Sequence, residues 1–201
     1  DSPDIPLNVS RSYLQSDAQV KKISNHISKK VADRLDELFR NERSLFEEKW
    51  ESLKVFVQYG MLSDEKFYDR AVKFDLVTDI DGKHFTLDEY RTLTEGEQTD
   101  KEGQLVWLYT NDRNSQYTAI ERAKAKGYSV LLLDGPLDVH AVSQLEQKLE
   151  KTRFVRVDSD SIDKLIAKDE QRAVSLSDVE QKALKALFEG RLPREEKRNY
   201  S

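Results

Sequence analysis

The chain has 201 residues, with 33 Lys and Arg against 38 Asp and Glu, which gives a formal net charge of -5. This slightly acidic balance argues against nucleic acid as the main partner, because nucleic-acid-binding domains are typically basic. Cysteine is absent, which excludes disulfides and thiolate chemistry and favours a reducing compartment. No stretch approaches the roughly 18 apolar residues of a membrane span. We therefore expect a cytoplasmic protein that does not use a membrane.

Glycine (7) and proline (4) are scarce, and 35% of the residues are charged. Few helix breakers together with many charges are typical of amphipathic helices with solvated outer faces. The 8 Phe, 8 Tyr and 2 Trp provide enough aromatic surface for a folded core. The sequence begins at Asp1 and its only methionine is Met61, so we expect a piece of a longer polypeptide.

Helical periodicity dominates the first part of the chain. Apolar residues at spacings of three and four predict a first helix with one apolar stripe, made of Val20, Ile23, Ile27, Val31, Leu35, Leu38 and Phe39. A second helix is predicted from Phe46, Trp50, Leu53 and Val57, with Gly60 as its end. Asp64 can cap a third, short helix that carries Phe67, Ala71 and Phe74. Three helices with short joints predict an all-helical unit.

The pattern changes after residue 75. Asp81-Gly82 is a turn dipeptide, and Thr86 to Glu89 has the spacing of a capping box. Strand-like and helix-like segments then alternate: strands at 105–109, 128–133 and 154–157, and helices at 116–126 and 138–150. The last helix is predicted to place four apolar residues on one face, namely Val139, Val142, Leu145 and Leu149. The fold class is therefore α/β, with a helical segment followed by a small αβα layer on a short parallel sheet.

The last part of the chain predicts a linker and one more helix. Residues 158–176 are acidic and poor in apolar residues, as in a linker. A second capping box, Ser177 to Glu180, opens an amphipathic helix at 178–189 that cannot bury its apolar face alone. We therefore divide the chain into residues 1–95, 96–166 and 167–201, the last being the truncated start of a further domain.

Most chemical motifs are missing or weak. The three histidines, His26, His84 and His140, have no metal-ligand spacing, so no metal site is predicted. Asp134-Gly135 follows a predicted strand, at the carboxyl edge where α/β sheets often bind ligands. This edge supports one alternative, an autonomous small domain that binds a nucleotide or a metabolite. A helical scaffold that only mediates protein contacts is another.

The segment from Leu7 to Gln15 is the most informative. Asn8, Arg11 and Gln15 are spaced i, i+3 and i+7, so a helical turn would place all three on one face. A guanidinium fork and two amides are suited to phosphate oxygens. From the residues alone, a capped helix start with Arg11 in solvent remains the alternative.

The same segment resembles a known family. Residues 4–15, DIPLNVSRSYLQ, are similar to D-L-P-L-N-[VIL]-S-R-E-x-L-Q, the catalytic-loop signature of the ninety-kilodalton heat-shock chaperones. The resemblance continues at residues 85–90, FTLDEY, and at residues 127–138, which include GYSVLLLD, and it covers about residues 4–165 in order. Bacterial members of the family are the most similar. Ser12 departs from the signature, which usually has Glu there.

The resemblance implies a role in a larger machine. In this family an N-terminal domain binds ATP with Mg²⁺, a middle domain completes the ATPase, and a C-terminal domain holds the homodimer. This chain would supply part of the middle domain, and the whole protein would bind partly folded client proteins. Arg11 matches the arginine that reaches the γ-phosphate, Gln15 matches its polar partner, and Asn8 belongs to the same loop. The chain alone would bind no ATP and would be inactive.

Overall fold

The computed structural model describes residues 18–168, so the predicted catalytic loop and the predicted helix at 178–189 lie outside the described residues. The helices are α1 (Ala18–Asn41), α2 (Arg43–Ser63), α3 (Glu65–Ala71), α4 (Leu87–Gln98), α5 (Tyr117–Ala125), α6 (Asp138–Lys148) and α7 (Ile162–Leu165). The strands are β1 (Leu76–Thr78), β2 (His84–Thr86), β3 (Leu105–Thr110), β4 (Val130–Leu132) and β5 (Thr152–Arg156). The predicted α/β fold class, with helices first and a short parallel sheet after them, is confirmed.

The first three helices pack on one another around aromatic side chains. The ring of Phe46 lies 5.4 Å from Phe39, 5.6 Å from Trp50 and 6.0 Å from Phe74, measured between centroids. Phe46, Trp50 and Phe74 are fully buried, so the predicted aromatic core is confirmed. Asp64 begins α3 as predicted, because its Oδ1 accepts hydrogen bonds from the backbone N–H groups of Lys66 and Phe67.

The predicted apolar stripe of α1 is wrong at Ile27 and Val31. Ile27 is 56% exposed and Val31 is 46% exposed, while Ala32 is fully buried. The stripe packs against the core through Leu35, Leu38 and Phe39. Ile27 and Val31 are left exposed between the half-buried Ile23 and these residues.

The predicted end of the second helix is also wrong, since α2 continues past Gly60 to Ser63. Gly60 is required there by a close approach: a Cβ at this position would lie 2.6 Å from Cε1 of Phe67 on α3. The glycine therefore sets how closely α2 and α3 pack, and it does not stop the helix.

The sequence prediction missed a β-hairpin between the helices and the sheet. Strands β1 and β2 pair antiparallel, with Val77 opposite Phe85, and the predicted turn between them contains Gly82 at φ +82°. The capping box that follows is confirmed, because Thr86 Oγ1 accepts from the N–H of Glu89 and Glu89 Oε2 accepts from the N–H of Thr86. The hairpin leads directly into α4.

The small sheet has the order β4-β3-β5 and is parallel, as predicted. Its central strand β3 is buried on both faces: Trp107 faces the core of the helical part, while Val106 and Leu108 face a second core under α5 and α7. The ring of Trp107 packs edge-on against Tyr90 and Phe154, each 5.2 Å away. This two-sided burial explains the continuous apolar run of the strand.

Two further predictions need correction. Val139 on α6 is exposed, although it was placed on the apolar face with Leu145, which is buried. The predicted linker also begins too early, since Leu165 and Ile166 are buried in the second core. Among residues 18–168, no helix combines the length and the low polarity that crossing a membrane requires.

Candidate functional site

The three predicted site residues, Asn8, Arg11 and Gln15, lie outside the described residues, so their geometry stays a prediction. The described chain begins at Ala18, the first residue of α1 and three positions after Gln15. The surface of α1 is therefore the nearest part of the structure to the predicted catalytic loop along the sequence.

The N-terminal part of α1, residues 18–32, is strongly basic. Residues 18–32 contain Lys21, Lys22, Lys29 and Lys30 but no Asp or Glu, in a chain whose net charge is negative. These lysines give residues 18–32 a local excess of positive charge, which favours anionic groups.

The same part of α1 exposes apolar atoms. Ile27 and Val31 line a shallow surface depression of about 360 Å³ whose other walls are His26, Lys30, Arg34 and Leu35. Exposed apolar residues framed by cations are typical of a surface that contacts another protein segment. A second exposed group lies on α2, where Val55, Phe56 and Tyr59 point away from the core. This group was not predicted. Val55, Phe56 and Tyr59 all lie outside the predicted apolar stripe of α2, and this position could have identified them as exposed apolar residues.

The alternative site, Asp134-Gly135, is occupied by internal hydrogen bonds. The N–H of Gly135 donates to Asp138 Oδ2 at 2.7 Å, and a Cβ at Gly135 would lie 3.0 Å from the same oxygen. Asp134 itself is exposed. The tight turn therefore joins β4 to α6, and its polar groups serve that turn.

The adjacent strand end is closed in the same way. Thr110 Oγ1, at the end of β3, donates to Gln116 Oε1 at 2.5 Å, and both side chains are buried. Asp112 Oδ1 accepts from the N–H groups of Ser115 and Asn114, which lowers the pKa of Asp112. Both strand ends thus use their polar groups to form turns. Within residues 18–168, no three His, Asp or Glu side chains are grouped closely enough to hold a metal ion.

The most connected buried polar group is Asp138, at the first turn of α6. Its Oδ2 lies 2.9 Å from Nζ of Lys54, and its Oδ1 accepts from Nε2 of Gln58 at 2.8 Å. Both partners are on α2, so these contacts join the helical part to the α/β part. This group was not predicted, because its two members on α2 lie 84 and 80 positions from Asp138 in the sequence.

Comparison with known proteins places these features in a family. A family model described as Hsp90 protein matches residues 1–194. The chaperone protein HtpG of Porphyromonas gingivalis is 68% identical over 201 residues, which is 100% of this chain and 29% of that protein. The HtpG of Bacteroides fragilis is 60% identical over 197 residues, which is 98% of this chain and again 29% of that protein. The chain thus spans less than a third of the length of these relatives.

A solved structure agrees in fold. The middle domain of a Plasmodium falciparum heat shock protein superposes with a TM-score of 0.55 over 72% of this chain and 61% of that chain, at 16% sequence identity. At this level of sequence identity, the likeness is one of fold. The family model covers nearly the whole sequence, and the HtpG relatives align along all or almost all of it. The chain therefore belongs to the Hsp90 protein family.

Proposed function

We propose that this chain is the middle-domain part of an ATP-dependent chaperone and supplies its catalytic loop. The observation that carries the proposal is the sequence of residues 4–15, which resembles the family's catalytic-loop signature in a chain that belongs to the family. Arg11 and Gln15 would contact ATP bound in a preceding N-terminal domain, and Asn8 would support the loop.

The chemistry follows from the side chains. ATP bound with Mg²⁺ supplies the phosphoryl group that is transferred to water. The guanidinium of Arg11 would neutralise negative charge that develops on that group, and the amide of Gln15 would hold the arginine or a phosphate oxygen in position. The basic N-terminal part of α1, with Lys21 and Lys22 close to the loop in sequence, provides a favourable field for a polyphosphate.

The proposal extends to partners. Partly folded client proteins would be bound by exposed apolar side chains, of which the structure offers Phe56, Tyr59 and Ile27. The whole protein would be a cytoplasmic homodimer held by a C-terminal domain, whose first helix would be residues 178–189. The division at residues 1–95, 96–166 and 167–201 is part of the same proposal.

The test is ATP turnover by the full-length protein. We expect Arg11→Ala to lower kcat by about tenfold or more, because an arginine that acts on the transition state is typically worth at least that. The affinity for ATP should change much less. Arg34→Ala is the matched control, since Arg34 is an exposed arginine of α1 paired with Glu37. Full turnover by the Arg11 variant would end the proposal.

The isolated chain distinguishes this proposal from the autonomous nucleotide-binding domain. Titration calorimetry of residues 1–201 with ATP and Mg²⁺ should give no measurable heat of binding, because the binding pocket belongs to another domain. The alternative predicts binding that is lost in Asp134→Ala. It has less support, since the turn at Asp134-Gly135 uses its N–H and its neighbouring carboxylate internally.

A further inference from the structure

The contact between α2 and α6 contains a buried ion pair. Nζ of Lys54 lies 2.9 Å from Oδ2 of Asp138, and the two side chains are only 11% and 1% exposed. Asp138 is further held by Nε2 of Gln58 at 2.8 Å and by the N–H of Gly135 at 2.7 Å. Three donors thus surround one carboxylate and satisfy its hydrogen-bonding capacity.

A second buried carboxylate, Asp75, interacts with the charges of both Lys54 and Asp138 but lacks such hydrogen-bond donors. Asp75 follows the core residue Phe74 and is 5% exposed. Its backbone N–H is bonded to the carbonyl of Ala71, so its position is set by the end of α3. Its Oδ1 has no hydrogen-bond partner. An ionised carboxylate in this position would be buried with one oxygen lacking a hydrogen-bond donor, which is unfavourable.

The charges that act on Asp75 come from two helices, α2 and α6. Burial has the largest influence and raises the pKa of Asp75. Lys54 on α2 lowers this pKa and Asp138 on α6 raises it, so that the pKa of Asp75 is about 7. Tyr68 on α3 also senses the charge of Asp75, although burial is the main reason that the pKa of this phenol is raised. Lys54 therefore interacts with two carboxylates, Asp138 and Asp75, and only Asp138 is fully hydrogen-bonded.

We propose that Asp75 is a proton-operated switch at the contact between α2 and α6. When Asp75 is neutral, Lys54 pairs with Asp138 alone, and α2 and α6 stay in contact. In its ionised form it places a second negative charge beside the pair, competes with Asp138 for Lys54, and loosens the joint between the helical part and the α/β part. The switch is independent of the proposed catalytic loop, so it can fail without affecting that proposal.

The direction of the pH effect follows from linkage. A carboxylate whose pKa is higher in the folded state than in the unfolded state stabilises the fold at low pH, and this stabilisation is lost as pH rises from the unfolded to the folded pKa. For Asp75 the window runs from 3.8 to about 7. Relative to Asp75→Asn, the unfolding constant of the wild type should rise on the order of a hundredfold between pH 5 and pH 8.

The first experiment needs no variant. The side-chain carboxyl ¹³C shift of Asp75, followed by NMR in the 201-residue protein, should titrate with a midpoint within about one unit of 7. A midpoint near 4, the ordinary value for Asp, would overturn the proposal. In Lys54→Met the midpoint should move up, because an attractive charge is gone, and in Asp138→Asn it should move down. A midpoint unaffected by either substitution would exclude the competition for Lys54.

The second experiment measures the joint itself. The N–H of Gly135 reports on the closed state, since it donates to Asp138. Its opening constant, obtained from hydrogen exchange after correction for the intrinsic rate, should rise about tenfold between pH 6 and pH 8 in the wild type. It should be flat in Asp75→Asn. Asp112→Asn is the control, because Asp112 is exposed with a lowered pKa and should leave the rise unchanged. A flat wild-type profile would overturn the switch.

Discussion

The predicted apolar stripe of α1 and strand β3 are both made of apolar residues, yet only the strand is buried along its length. In β3, Val106, Trp107 and Leu108 are fully enclosed because β4 and β5 flank the strand and helices cover both faces. In α1, Ile27 and Val31 remain open, while Arg70 of α3 bonds Asp33 at 3.0 Å on another side of the helix. Apolar periodicity thus identifies a face that suits burial. Whether a partner exists within the same 201 residues depends on the tertiary structure.

The largest effect in this comparison is expected from Trp107→Ala. The substitution removes the edge-on contacts with Tyr90 and Phe154 and the hydrogen bond from Nε1 to Thr94 Oγ1 at 3.0 Å. We expect a loss of about 3–5 kcal/mol in the free energy of unfolding, measured by urea denaturation of the 201-residue protein. Tyr117→Ala is the control, since Tyr117 is exposed, and should change stability by about 0.5 kcal/mol or less. Similar losses for the two variants would contradict the burial of β3.

A pair of helical glycines gives the intermediate effect. Gly60 and Gly96 both lie inside helices, but a Cβ at Gly60 would clash with Phe67, while a Cβ at Gly96 meets nothing within 4 Å. Gly96→Ala should stabilise the protein by about 0.5–1 kcal/mol, the usual gain in helix propensity. Gly60→Ala should instead destabilise it by about 1–2 kcal/mol, because overpacking outweighs that gain. Thermal unfolding of both variants checks the opposite signs, and stabilisation by both would refute the close approach.

Local rules account for what the sequence predicted correctly. The cap at Asp64, the capping box at Thr86 and the turn at Gly82 depend on residues within four positions of each other. The parallel sheet was also predictable, because alternating strands and helices allow few arrangements. The hairpin of β1 and β2 was missed because its strands have three residues each, too few to show a period.

Other failures depend on contacts that a local sequence pattern does not show. Gly60 looked like a helix end because its contact with Phe67 on the next helix is invisible in the local pattern. The joint around Asp138 was not predicted because Lys54 is 84 positions away in sequence. Asp75 had no motif at all, and its importance comes entirely from its burial. The proposed catalytic loop is the opposite case: its sequence signature indicates a function, but the structure does not describe its residues.

The smallest effect should come from the exposed apolar residues Ile27 and Val31 of α1. We expect Ile27→Ser combined with Val31→Ser to change the free energy of unfolding of the 201-residue protein by about 0.5 kcal/mol or less, because both side chains are about half exposed and little apolar area is lost from contact. Leu35→Ser, two turns after Ile27, is the matched control, since this leucine packs against the core and its loss should cost about 2 kcal/mol or more. Urea denaturation of the variants measures the difference. If the double variant lost as much stability as Leu35→Ser, Ile27 and Val31 would have to be covered in solution. The contrast between exposed residues on α1 and buried residues on β3 would then be wrong.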